Sequence, residues 1–175
     1  MIDKLVAQIE NAIENDLYLV ALCSALTLPD ICGKAEYPKK GVNDRYKTWY
    51  KNYVYDKFEH NKKHINDVYY QMPDLTEEIV YDLRCSILHS GDPNLNKEPP
   101  PVDKFNLILN RDKTNSTIAK STLRMVFPAQ AKPFTERGIK VDIYNLCNLL
   151  CKAAISYYNS NKNKFTFINY TIEEL

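Results

Sequence analysis

The sequence predicts a mainly α domain, an up-and-down helical bundle with a small β-hairpin insertion before its last long helix. Three observations carry that prediction. Apolar residues recur every three or four positions over long stretches, as the buried stripe of an α-helix requires. Glycine is scarce, at 4 in 175 residues, which disfavours a turn-rich all-β sandwich. Only between about residues 102 and 128 does the pattern change to that of short strands. A chain of this length is most simply one domain, 1–175, able to bury a core without staples.

Taken in order, residues 3 to about 26 carry Leu5, Ile9, Ile13, Leu17, Val20 and Ala21 at helical spacings. They predict one long amphipathic helix, stopped by Pro29 and released by Gly33. A loop, GKAEYPKKGVND, leads to a second helix over 43–64. Asn43 or Asp44 is its expected N-cap, and Tyr46, Trp49, Tyr50, Tyr53 and Val54 form one face. The third helix is the clearest: Thr76 caps it, Glu77 and Glu78 favour the positive end of its dipole, and Ile79, Val80, Leu83 and Ile87 form its buried stripe. Gly91 and Pro93 are its expected stop. After the stiff connector NLNKEPPPVD, the segments KFNLILN and STLRMVF predict the two strands of a long hairpin. Residues 141–159 predict a central helix, apolar around most of its circumference, and the tail KFTFINYTI is a candidate third strand.

Composition limits the function classes. The formal net charge is +1, so no global polycation announces nucleic acid or an anionic membrane, and a local patch would have to hold such a partner. The N-terminal stretch carries acids within its apolar pattern and does not read as a secretory signal. No apolar run reaches the roughly 18 residues expected of a membrane span. The five cysteines fall on predicted apolar faces (Cys23, Cys85, Cys147, Cys151) or in a short connection (Cys32), as reduced thiols of a cytoplasmic protein would. There is no GxxxxGK[ST], GxGxxG, GxSxG or HExxH pattern, so kinase-like, Rossmann, serine-hydrolase and zincin readings have nothing to rest on.

The stretch that carries chemistry is LRCSILHSGDPN, residues 83–94. It places Arg84 and His89 five positions apart at the end of the third helix. Five residues advance about 140° net around an α-helix, so the two side chains converge only if the last turn loosens. No acid lies three or four positions from Arg84, where Val80, Tyr81, Ile87 and Leu88 stand, so no ion pair on its own helix accounts for it. The plainer alternative is that Arg84 reaches an acid elsewhere while His89 caps terminal carbonyls.

Arg84-Cys85-Ser86-Ile87-Leu88-His89 resembles the R-x4-6-H motif of the HEPN (higher eukaryotes and prokaryotes nucleotide-binding) superfamily, which ends a helix in an all-helical bundle. The resemblance covers about fifteen residues; the wider helix order is compatible but unspecific. It implies a HEPN-like fold and metal-independent endoribonuclease activity, with no cofactor. His89 would be the general acid/base and Arg84 the group that stabilises phosphate charge, while Cys85 and Ser86 support them. It further implies a homodimer whose two helix ends share one cleft, and a setting in host defence or a toxin–antitoxin pair, with an antitoxin protein as a further partner. Cys85 departs from the pattern, since many active members carry Asn, Asp or His after the arginine. A catalytically silent module that binds RNA or a partner protein is therefore the alternative, and a purely structural helical subunit the third reading. The β insertion is expected to cover the cleft or extend the dimer contact.

Three further features carry candidate chemistry. Segment 39–64 has an excess of five positive charges, interleaved with Trp49 and tyrosines. Lys39, Lys40, Arg45, Lys47 and Lys51 are its candidate RNA contacts, set against an ordinary solvated helix face. His60 and His64 stand at the i, i+4 spacing of a zinc pair, with Asp56 and Asp67 nearby. Two lysines lie between them, a solvated helix end is the better account, and no metal is expected. Cys147 and Cys151 share that spacing inside the most apolar helix, where packing explains them.

Overall fold

The computed structural model describes residues 1–57, 75–90, 102–110, 118–126, 128 and 133–168. Its first helix is shorter than expected. α1 spans Ile2–Glu14 and stops where Asn15 folds its amide back onto the Asn11 carbonyl, 2.8 Å away. Asp16 follows with φ of 62°, a left-handed conformation that Asp tolerates better than most residues. The predicted helix of residues 3–26 is therefore two, the second being α2, Tyr18–Ala25. The break also overturns part of the expected stripe: Ile9, Ile13 and Ala21 are buried, but Leu17 and Val20 are exposed.

Pro29 begins a helix instead of stopping one. α3 spans Leu28–Glu36 with the proline in its first turn, where the N–H it lacks has no intrahelical partner to lose. Cys32 and Gly33 thus lie on a helix and not in a connection. Together Tyr18–Glu36 form a 19-residue stretch long and apolar enough to cross a membrane by length and composition, contrary to expectation. Half of it is buried within the protein.

α4, Val42–Tyr50, starts from Gly41, not from Asn43 or Asp44, and runs on into a π-helical turn, Lys51–Tyr55. Tyr46, Trp49, Tyr50 and Val54 are buried as expected. Residues 58–64 of the predicted helix lie outside the described residues. α5, Glu77–Cys85, is capped as its sequence requires, the Thr76 hydroxyl accepting from the Ile79 amide at 3.4 Å. Ile79, Val80 and Leu83 are buried, and the helix passes into a second π-helical segment, Ser86–Ser90. Gly91 and Pro93 lie outside the described residues.

The β region is a three-stranded sheet, not a hairpin. β1 (Lys104–Ile108) and β2 (Ala119–Val126) do not pair with each other; both flank β3 (Phe134–Asp142), in the order β1-β3-β2. β1 runs parallel to β3 and β2 antiparallel to it. The sheet thus reaches beyond the expected 102–128 insertion. Among the described residues of the tail none lies in a strand, Lys162–Phe165 forming a 3-10 turn, and residues 169–175 lie outside the described residues.

β3 passes directly into α6, Ile143–Ser160, whose N-cap is the buried Asp142. Its carboxylate accepts from the Asn145 amide at 3.2 Å. As predicted, α6 is central, burying Leu146, Cys147, Leu150 and Ala154 completely and packing against α1, α2 and α3. Tyr157 on α6 meets Trp49 of α4 edge-on at 5.7 Å, joining α4 to the last helix in one core. The fold is therefore mainly helical with one small sheet.

Candidate functional site

Arg84 occupies the last turn of α5, half-buried against α4. Its guanidinium carbon lies 5.6 Å from the centre of the Tyr46 ring and 5.7 Å from that of Tyr81. Those rings meet edge to face at 5.3 Å. Spacing explains the arrangement: Tyr81 lies three positions before Arg84 on one helix, and Tyr46 projects from the helix packed across it. A cation over an aromatic face is attracted by the ring quadrupole, and more so when partly desolvated. Burial raises the phenol pKa of both tyrosines, while the charge of Arg84 pulls the other way.

Arg84 also points an Nη1–H towards the Cys85 sulfur at 3.9 Å. Cys85 itself is buried, and Ser86 is half-buried at the start of the π-helical segment. The backbone of His89 lies within that segment, Ser86–Ser90; its side chain is outside the described residues. In a π turn, residues five apart close the hydrogen bond, whereas an α turn closes at four. The loosening that an Arg84–His89 pair requires is therefore present in the backbone.

The five cations proposed as an RNA track lie on α4 and beside its two ends, but most are engaged within the protein. Arg45 donates to Asp30 at 2.7 Å, Lys47 pairs with Glu78 and lies over Tyr81, and Lys51 reaches Glu77 at 3.5 Å. Lys40 donates to the Thr48 hydroxyl at 3.1 Å and lies over Tyr37. Lys39 is exposed. Three of these cations thus fasten α4 to α3 and to the start of α5, which sequence spacing could not show because the acids come from other helices.

His60 and His64 lie outside the described residues, and among the described residues no three His, Cys, Asp or Glu side chains gather as a metal site would require. Cys147 and Cys151 are buried in the core, and burial pushes the Cys151 thiol up to about 12. At that value it stays protonated at neutral pH and packs as a small apolar group.

No protein-family model, curated protein or solved structure matches the chain.

Two surface hollows lie away from Arg84. One, of about 130 Å³, sits between the π turn after α4 and the end of α6, beside Tyr53 and Tyr157. The other, of about 340 Å³, lies on the outer face of the sheet. The polar residues of this second hollow are not legible in the sequence, where β1 and β2 look like hairpin partners and β3 between them is hidden. Its signal is a pair of cations four positions apart on one face of β2, Lys120 and Arg124, with Lys104 in β1.

Proposed function

We propose that the chain is a HEPN-like helical domain that cleaves RNA without a metal, with Arg84 and His89 as its catalytic pair. The observation that carries this reading is the passage of α5 into the π-helical segment Ser86–Ser90 immediately after Arg84. A continued α-helix would set the two positions about 140° apart, and the wider π turn that begins at Ser86 reduces that angle. π segments inside helices are frequent at functional sites.

In the proposed reaction His89 takes the proton of a ribose 2′-hydroxyl, and the oxygen attacks the adjacent phosphorus. A cyclic 2′,3′-phosphate forms as the bond to the 5′-oxygen breaks, and that oxygen leaves with a proton from an acid, the second imidazole in a homodimer. Arg84 offers donors to the phosphate oxygens as charge builds on them. The tyrosine rings beneath Arg84 limit its rotamers, which is how a scaffold holds a group ready for a developing charge. Ser86 stands at the same helix end as a further donor. In this reading the protein is cytoplasmic and dimeric, and its setting is host defence or a toxin with its antitoxin.

The test is purified protein with labelled single-stranded RNA in EDTA, beside Arg84→Ala and His89→Ala. The expected result is cleavage by the natural chain, 2′,3′-cyclic ends on the product, and a loss of at least about 100-fold in each variant. Unchanged cleavage in either variant removes the pair. A second reading, a silent RNA-binding or protein-binding module, draws on Cys85: the residue after the arginine is buried and not polar. RNA retained but uncut by the natural chain would favour it.

A further inference from the structure

On the outer face of the sheet, β3 contributes Glu136, Gly138 and Lys140, and its neighbours set Lys104 and Asn106 on one side, Lys120, Thr122 and Arg124 on the other. The floor of the hollow is Gly138. A Cβ there would stand 2.6 Å from the Thr122 hydroxyl and 3.4 Å from the Asn106 amide nitrogen, so glycine is what leaves the space open. Four exposed cations, Lys104, Lys120, Arg124 and Lys140, face one carboxylate, Glu136.

These cations differ from those of α4. Among the described residues none of the four is within ion-pair distance of an acid, whereas Arg45, Lys47 and Lys51 each have a carboxylate. Lys120 and Lys140 are moreover direct cross-strand partners. Like charges placed opposite each other on one face of a sheet destabilise it, and an anion between them reverses the sign of that interaction. Among the described residues the hollow has no aromatic lining, so it suits a phosphate backbone and not stacked bases.

We propose that this sheet face binds the phosphodiester backbone of single-stranded RNA. Lys104, Arg124 and Lys140, with Lys120 beside them, neutralise successive phosphates, and Thr122 and Asn106 donate hydrogen bonds across the Gly138 floor. The choice of RNA rests on the function proposed above; the anion site itself rests on the sheet. Contacts of this kind position a strand without reading its sequence.

The experiment measures binding, not cleavage. In a His89→Ala background, the affinity for a fluorescent single-stranded RNA is followed against salt, beside the triple variant Lys104→Gln, Lys120→Gln, Lys140→Gln and a charge-matched triple control at exposed lysines away from the sheet, Lys4→Gln, Lys152→Gln, Lys162→Gln. The triple variant should lose at least tenfold in affinity, and its log–log salt slope should fall by about 2, because each single-strand phosphate contact contributes roughly 0.7. The control should bind as the parent does. Equal binding by the triple variant and its parent overturns the proposal, as does no RNA binding at all. Binding of inorganic triphosphate without RNA likewise overturns it, in favour of a free-phosphate site. Loss of cleavage by the natural chain, with binding and its salt slope intact, sinks the nuclease reading and leaves the sheet site standing.

Discussion

The Arg84 guanidinium lies over the ring of Tyr46, whose own hydroxyl is buried with no hydrogen-bond partner among the described residues. One ring therefore both attracts the cation and carries an uncompensated polar group. Replacing Tyr46 by Phe keeps the attraction and removes the buried oxygen, so stability should hold or rise by about 1 kcal/mol. Tyr46→Leu should lose the ring and about 1–3 kcal/mol. Urea denaturation compares the three; a Phe variant less stable than the Leu variant would refute the account. On the nuclease function proposed above, Tyr46→Phe should cleave RNA as the natural chain does and Tyr46→Leu poorly, because Arg84 loses its seat.

Gly33 allows α3 and α4 to touch. A Cβ at this position would lie 2.7 Å from the Arg45 carbonyl oxygen, and backbone cannot swing aside as a side-chain tip can. Gly33→Ala should destabilise by roughly 1–3 kcal/mol despite the better helix propensity of alanine. A rise in melting temperature would show that the two helices separate easily.

Glu36 gathers the chain's end to its third helix. It accepts from Lys164 at 2.5 Å and from the Tyr157 hydroxyl at 2.6 Å, and these bonds, Lys164 first, hold its carboxyl below the usual range. A carboxyl lowered on folding adds stability that is complete above its unfolded pKa of about 4.3 and lost as pH falls through the folded value. Glu36→Gln should cost about 1–2 kcal/mol at neutral pH, since the lysine is partly solvated. It should also flatten the acid limb of the stability profile below about pH 5. An unchanged limb would remove Glu36 from the acid response.

Asp142 works in the opposite direction. Burial raises its carboxyl pKa against the hydrogen bonds that lower it. A carboxyl raised on folding opposes stability above its folded value, and the penalty lifts as pH falls. Asn also caps helices well, so Asp142→Asn should equal or exceed the natural chain at neutral pH, with the difference closing in acid. Asp142→Ala should cost about 1 kcal/mol through the lost cap. Thermal melts at several pH values read both effects, and a pH-independent difference would disprove the burial argument.

What the sequence disclosed was mostly local. Thr76, the acids after it and the stripe of Ile79, Val80 and Leu83 are one-helix features, and they are where spacing placed them. The break at Asp16 was also readable, because Asn15-Asp16 is a pair that turns readily. Thr27-Leu28-Pro29-Asp30 carries the signs of a helix start, but a proline both opens a helix and ends the one before it, so its direction is ambiguous in sequence. β3 was hidden because Arg137 and Gly138 interrupt its apolar alternation and its parallel partner is distant in sequence. For the site, the Arg84–His89 spacing was visible, but the tyrosine seat was not, because Tyr46 comes from another helix.

The middle place in the sheet belongs to the last strand to be synthesised. Among the described residues β1 and β2 each have β3 as their sole ladder partner, and Asp103 meets Arg137 across 34 positions. A nascent chain that has passed the first two strands has therefore built neither ladder, and closing so distant a contact is slow relative to forming a helix. Because β3 runs without a break into α6, zipping the sheet and seating that helix in the core become one late event. In pulse-labelled refolding, amides of the three strands should gain protection together with those of α6, after α1; protection of β1 ahead of β3 would contradict this order.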